Sequence, residues 1–249
     1  MTSLFFVLFK AFSYFCSTNF QLYIVMKIIF DPEILAAAPQ LKVIKIEASV
    51  KNPKTTDSLW SELIADGERI KETFEMSMIN KRPGIAATRS AYKALGKEPN
   101  RYRPSCEAMC RRLVKGMQLY RTLTIIDLIN LLSIRSGYSI GGFDADKIDG
   151  DTLRLGAGRE GEPFEAIGRG PLNIAHMPIY RDNIGGIGTP TSDEERTKLS
   201  PDTINLLMCI NIYGEELSVD DTINLAVDLL SRHADAKNID IEIISAQQP

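Results

Sequence analysis

The run from Gly185 to Asp193 gathers groups well suited to hold a small polar molecule. Gly185, Gly186 and Gly188 carry no Cβ, so their backbone permits close approach to a ligand. Thr189, Thr191 and Ser192 then offer hydroxyls, and Asp193 offers a carboxylate. The same composition suits a tight turn closed by Asp193, and both readings stand on the residues alone. A second group lies around position 140. Arg135 and Ser136 close an apolar helix, and the small pair Gly141 and Gly142 leaves room beside them. An arginine at the lip of such a space suits a carboxylate or an ester. A glycine-rich connection without a ligand is the alternative.

Other motifs carry less. Gly156, Gly158 and Gly161 match the dinucleotide pattern G-x-G-x-x-G, but Glu162, Pro163 and Phe164 follow. A helix N-terminus is needed there to hold a pyrophosphate, so a hairpin turn is the better reading. Cys16, Cys106, Cys110 and Cys209 have no zinc-ligand spacing, and only His176 and His233 could assist them. Cys106 and Cys110 stand one helical turn apart and read as small buried thiols. No metal or organic cofactor is implied. Free thiols point to a reducing compartment, the cytoplasm.

The chain has 249 residues and a net charge of −3. Such a balance excludes a protein that coats nucleic acid non-specifically. The distribution is uneven, however. Lys81 to Arg121 holds eleven basic and two acidic residues, a local +9 that leaves −12 for the rest. Arg89, Arg101, Arg103, Arg111 and Arg112 are candidate phosphate ligands there, interleaved with Tyr92, Tyr102 and Tyr120 for stacking. Solvation of two outer helix faces is the plainer alternative.

These groups need elements to position them. Residues 1–25 hold six of the ten phenylalanines, but Lys10 and the polar stretch from Ser17 break the apolar run. With no basic n-region or clear cleavage site, they read as an extension upstream of a start at Met26, a membrane anchor being the alternative. Lys27–Phe30 reads as a strand, and Asp31 and Pro32 as the start of a helix. Alternation makes Lys42–Val50 a strand. Helical spacing predicts helices over Thr56–Phe74, Gly84–Leu95, Ser105–Val114 and Thr124–Arg135. Short strands follow at Thr152–Leu155, Phe164–Ile167, Met177–Arg181 and Leu206–Tyr213. Ser218 caps an amphipathic helix, and Ile239, Ile241 and Ile243 alternate in a last strand. A helical first half and a stranded second half predict an α+β fold.

The segment Asp127–Gly150, DLINLLSIRSGYSIGGFDADKIDG, resembles the core of a known domain. It is similar to the tRNA-editing domain, B3/4, of the phenylalanyl-tRNA synthetase beta subunit. That family reads roughly as V-D-I-x-N in a helix, G-x-P-x-H-A-F-D in a turn, then L-D-K-I-x-G. Ile126, Asp127 and Asn130 fit the helix. Gly137, Phe143 and Asp144 fit the turn, and Asp146, Lys147, Ile148 and Gly150 fit the final run. Gly141 stands where bacterial members have histidine, and the glutamate that ends the family's glycine-rich loop falls near Pro190 or Thr191.

The resemblance implies one compact α+β domain over 26–249, with mixed and antiparallel sheets in a sandwich flanked by helices. It implies a free-standing deacylase that hydrolyses the ester of a mischarged aminoacyl-tRNA. Asp193, Asp144 or Thr191 is then the group that orients water, assistance by the substrate's ribose hydroxyl being the alternative, and backbone N–H groups of the 185–189 loop become oxyanion donors. The implied partners are tRNA or aminoacyl-tRNA, and free amino acid. A non-catalytic module that holds tRNA or an amino acid through the same residues is the alternative.

Overall fold

Two strands in this chain are buried along nearly their whole length, which places them between two cores. They are β2 (Lys42–Ser49) and β9 (Asn205–Ile212), and they pair antiparallel. Strand residues alternate between faces. Ile44, Ile46, Ala48, Leu206, Met208 and Ile210 therefore pack on one side, and Val43, Leu207 and Cys209 on the other. A strand covered on both faces needs apolar residues in succession rather than in alternation.

The computed structural model describes residues 25–245. Residues 1–24, which hold nearly all of the N-terminal extension read from the sequence, lie outside the described residues. The elements run β1 (Lys27–Phe30), α1 (Pro32–Ala37), β2, α2 (Asp57–Thr73), α3 (Pro83–Ala94), α4 (Ser105–Val114) and α5 (Thr124–Ser136). Then come β3 (Ser139–Asp144), β4 (Thr152–Ala157), β5 (Glu165–Ala166), β6 (Gly170–Pro171), β7 (Pro178–Arg181) and β8 (Gly186–Gly188). After β9, α6 (Val219–His233) and β10 (Lys237–Ser245) complete the described chain.

One sheet has the order β10-β2-β9-β3, antiparallel throughout. The helices α2, α4, α5 and α6 cover its outer face through Leu59, Leu113, Leu128 and Leu229. The second sheet, β1-β4-β7-β8, joins β1 to β4 in parallel and the others antiparallel. It faces the first across Ile28, Leu153, Leu155 and Tyr180. This is an α+β domain with the expected sheet sandwich and flanking helices.

Local chemistry sets the ends. Thr56 accepts a hydrogen bond from Leu59 N–H, and Ser218 accepts one from Asp221 N–H, each as an N-cap. Gly137 ends α5 at φ 79°, and the Glu216 carboxylate fills the place its Cβ would need. One expectation is corrected here. The segment matched to the family turn is not a turn beyond Gly137; it continues as strand β3, paired along β9.

Candidate functional site

Between α4, α5 and the inner edge of β3 lies a chamber of about 310 Å³. On α5, Ile126, Ile129, Asn130 and Ser133 line it, spaced three, four and seven apart on one helical face. Met109 of α4, Ile140 of β3 and Leu199 extend the apolar wall. Its polar lining is Thr189, Ser192, Asp193 and Lys198, with Ser105, Asn130 and Arg169. Ser133 is spent internally, since its hydroxyl donates to the Tyr138 carbonyl at 2.6 Å.

Asp193 is aimed by a tight turn. Thr189 N–H donates to the Ser192 carbonyl at 2.9 Å, and the Thr189 hydroxyl oxygen accepts from Thr191 and Ser192 N–H. Ile167 N–H donates to the Asp193 carbonyl at 3.1 Å. The carboxylate itself accepts from Gly142 N–H at 3.3 Å. Among the described residues no cation forms an ion pair with it. Burial pushes its pKa up to about 7, and the Gly142 N–H only partly opposes this.

The two glycine-bearing segments thus meet, but not across open space. A Cβ on Gly141 would lie 2.7 Å from the Phe143 ring, and one on Gly188 would lie 2.6 Å from it. That ring fills the gap and explains both glycines. A Cβ on Gly142 would lie 2.3 Å from Ile129 Cδ1. The pair admits Phe143 and Ile129, and Gly142 borders the chamber. Gly185 and Gly186 face a different hollow, beside Glu162 and Arg181. Gly185 N–H donates to Asp182 Oδ1 at 3.0 Å. With Thr189 N–H also engaged, these two N–H groups of the 185–189 loop are not free to meet an oxyanion.

Several other candidates are already occupied. Asp144 accepts from the Thr203 hydroxyl at 2.9 Å and pairs with Lys147 at 3.1 Å, away from the chamber lining. It caps the short 3-10 turn Ala145–Lys147. Thr191 is buried and shares a hydrogen bond with the Tyr92 hydroxyl at 2.8 Å. Tyr92 is buried as well, so it offers no stacking face. Arg135 points to Asp66 at 2.5 Å and Glu62 at 3.4 Å, not to a pocket lip. Arg89 is buried against Glu107 at 2.8 Å and Asn100 at 2.6 Å.

The rest of the basic segment reaches the surface. A groove of about 1190 Å³ is lined by Arg101, Arg103, Arg111, Arg112, Lys115 and Arg169, and by no acidic side chain. It shares Ser105, Met109, Asn130 and Arg169 with the chamber, so one opens into the other. Glu107 lies beneath, fully buried, and anchors Arg89 and Arg111 at 2.8 Å each. Arg169 and Ser105 carried no signal in the sequence, because only folding brings the 105, 130, 169 and 193 regions together. Asn130 was legible only as a family position.

The thiols of Cys106 and Cys110 are buried, and Cys110 accepts from Arg82 at 3.2 Å. Among the described residues, no group of three His, Cys, Asp or Glu side chains is placed to hold a metal ion. Likewise, no helix there is long and apolar enough to cross a membrane.

A model of the B3/4 domain matches residues 87–244. No curated protein matches the chain. Among solved structures, it is similar to an N-terminal fragment of the phenylalanyl-tRNA synthetase beta-subunit from Pyrococcus horikoshii. The two share 16% identity and a TM-score of 0.42 over 86% of this chain and 51% of that one. The chain thus spans about half the length of that fragment.

Proposed function

The chain belongs to the B3/4 domain family, and from that premise we propose that it is a tRNA-editing deacylase. The observation that carries the reading is a chamber holding one unpaired carboxylate and opening directly on a cationic groove. Phosphates of a tRNA acceptor end lie in the groove, and the esterified amino acid enters the chamber. The resemblance of residues 126–150 to the synthetase editing domain supports the same assignment.

Ionised Asp193 takes a proton from water as that water attacks the ester carbonyl. A carboxylate with a pKa near 7 is matched to this task at neutral pH. Asn130 and Arg169 stand at the mouth with no side-chain hydrogen bond or ion pair among the described residues, and they donate to the developing oxyanion. The carbon–oxygen bond to the ribose then breaks. Protonated Asp193 returns its proton to the ribose oxygen, leaving free amino acid and intact tRNA. Thr191, its hydroxyl engaged by Tyr92, helps position Asp193 through the 189–192 turn, its N–H donating to the Thr189 hydroxyl oxygen. The buried free thiols suit a reducing, cytoplasmic setting.

The test is incubation of the protein with a panel of mischarged tRNAs, following release of amino acid. Hydrolysis of at least one, lowered roughly 100-fold in Asn130→Ala, is expected. No release above buffer from any of them would sink the catalytic reading and leave a binding module.

A further inference from the structure

We propose that the groove receives an unpaired nucleic-acid strand, with one base stacked on Tyr120 and the strand's end directed to the chamber. The direction of the strand rests on the deacylase reading above; the stacking does not.

Tyr120 is 71% exposed, a large aromatic held in water where folding gives no reason for it. The Arg112 guanidinium lies over the ring, 4.4 Å from its centroid. Arg112 is itself fixed, its Nε donating to the Gln118 carbonyl at 2.7 Å. One face of the tyrosine is therefore covered by a cation, and the ring is otherwise open to solvent. Such a shelf accepts the π-face of a base and is tolerant of which base it is.

The charges around it fit a phosphate track. Glu107 meets the charge of Arg111, but Arg101, Lys115 and Arg169 make no ion pair among the described residues. Arg112 makes none either, its hydrogen bond going to a carbonyl. The groove's inner end is shared with a chamber of about 310 Å³, the lower limit for a small-ligand site. A space of that size admits one residue-sized group and not the end of a duplex. An acidic peptide would satisfy the cations but has no use for the stacking shelf, which is why a nucleic acid is favoured.

The experiment is fluorescence anisotropy on the full chain with an uncharged twelve-nucleotide single-stranded RNA. The same sequence as a duplex, as single-stranded DNA, and with polyglutamate as competitor provide the other arms. The single strand is expected to bind more tightly than the duplex, with polyglutamate a poor competitor. Its log–log salt slope should lie near −0.7 per phosphate contacted. Tyr120→Ala should weaken binding by about five- to a hundredfold with an unchanged slope, and Tyr120→Phe should retain it. Lys115→Ala should instead make the slope shallower by about 0.7. Equal binding of the duplex, an inert Tyr120→Ala, or full competition by polyglutamate would each overturn the proposal. DNA binding as well as RNA would leave stacking intact and remove any reading of the ribose. Because no ester is cleaved here, strand binding without deacylation overturns the enzyme and not the shelf. Deacylation that is indifferent to Tyr120→Ala overturns the direction of the stacked strand to the chamber and leaves the enzyme standing.

Discussion

Asp193 borders a largely apolar chamber, its carboxylate accepting a hydrogen bond from Gly142 and forming no ion pair among the described residues. Removing a carboxylate from water disfavours its charged form, which is why it titrates near about 7 in the fold. In the unfolded chain an aspartate titrates near about 3.9. The folded pKa is the higher of the two, so the neutral acid is the form the fold favours. The stability it contributes is intact below about pH 4 and is lost as pH rises to about 7, because the unfolded chain ionises first. Asp193→Asn should therefore flatten the pH dependence of the urea midpoint across that window. Activity moves the opposite way, since the base works only when ionised. Deacylation should rise with pH to a plateau above about 7 in the native protein and fall by roughly 10²–10⁴ in the variant, without that limb. A variant that kept the limb would assign the proton transfer elsewhere. The types at 193 and 191 were legible in the sequence as candidates, but not that Asp193 borders the chamber while the Thr191 hydroxyl is engaged by Tyr92. Arg89, Arg135 and Asp144 misled for one reason. Their partners Glu107, Asp66 and Thr203 lie 18, 69 and 59 positions away, and a charge is free or spent only once those partners are known.

At the scale of elements, α4 forms the floor of the groove, and Glu107 holds it in place. This carboxylate is fully buried and serves Arg89 and Arg111 at once. Removing one partner of a buried pair strands the other charge in a poor dielectric, at a cost of about 3–5 kcal/mol. Glu107→Ala should lower the unfolding midpoint in urea accordingly, whereas Lys115→Ala, at the surface, should stay within about 0.5 kcal/mol of the native protein. Equal effects of the two would mean that Glu107 is not the keystone of α4. On β3, Gly142→Ala should cost about 1–3 kcal/mol, read from the same melts, because the new methyl meets Ile129 and must displace it into the chamber. Most elements were visible in advance. Helical spacing gave Thr56–Phe74 and Ser105–Val114 within a residue of their observed bounds, because caps and apolar stripes are local signals. β3 was hidden, since two glycines and a family turn pattern masked a strand whose ladder is its long-range pairing with β9.

At the scale of the whole molecule, the proposed deacylase would separate attraction from chemistry. The sheet sandwich and its helices place a cationic groove and an apolar chamber side by side, joined through Ser105, Met109, Asn130 and Arg169. The overall charge is −3, so attraction of a polyanion needs a local cationic surface such as the groove. Screening acts strongly on such exposed charges, the Debye length falling from about 10 Å at 0.1 M salt to about 3 Å at 1 M. The Asp193 carboxylate, the base of the proposed reaction, is buried and shielded from added salt. Deacylation of an aminoacyl-tRNA should then lose kcat/KM steeply between about 50 and 200 mM salt through KM, with kcat nearly constant. A small aminoacyl ester without RNA should be cleaved slowly and with little salt dependence, because it meets only the chamber. Substituting Arg169 by Ala should hurt both substrates, since that side chain borders both spaces, while Lys115→Ala should hurt only the tRNA. If the small ester showed the same salt dependence as the tRNA, the groove and the chamber would be one electrostatic unit, and the division of labour between them would fail.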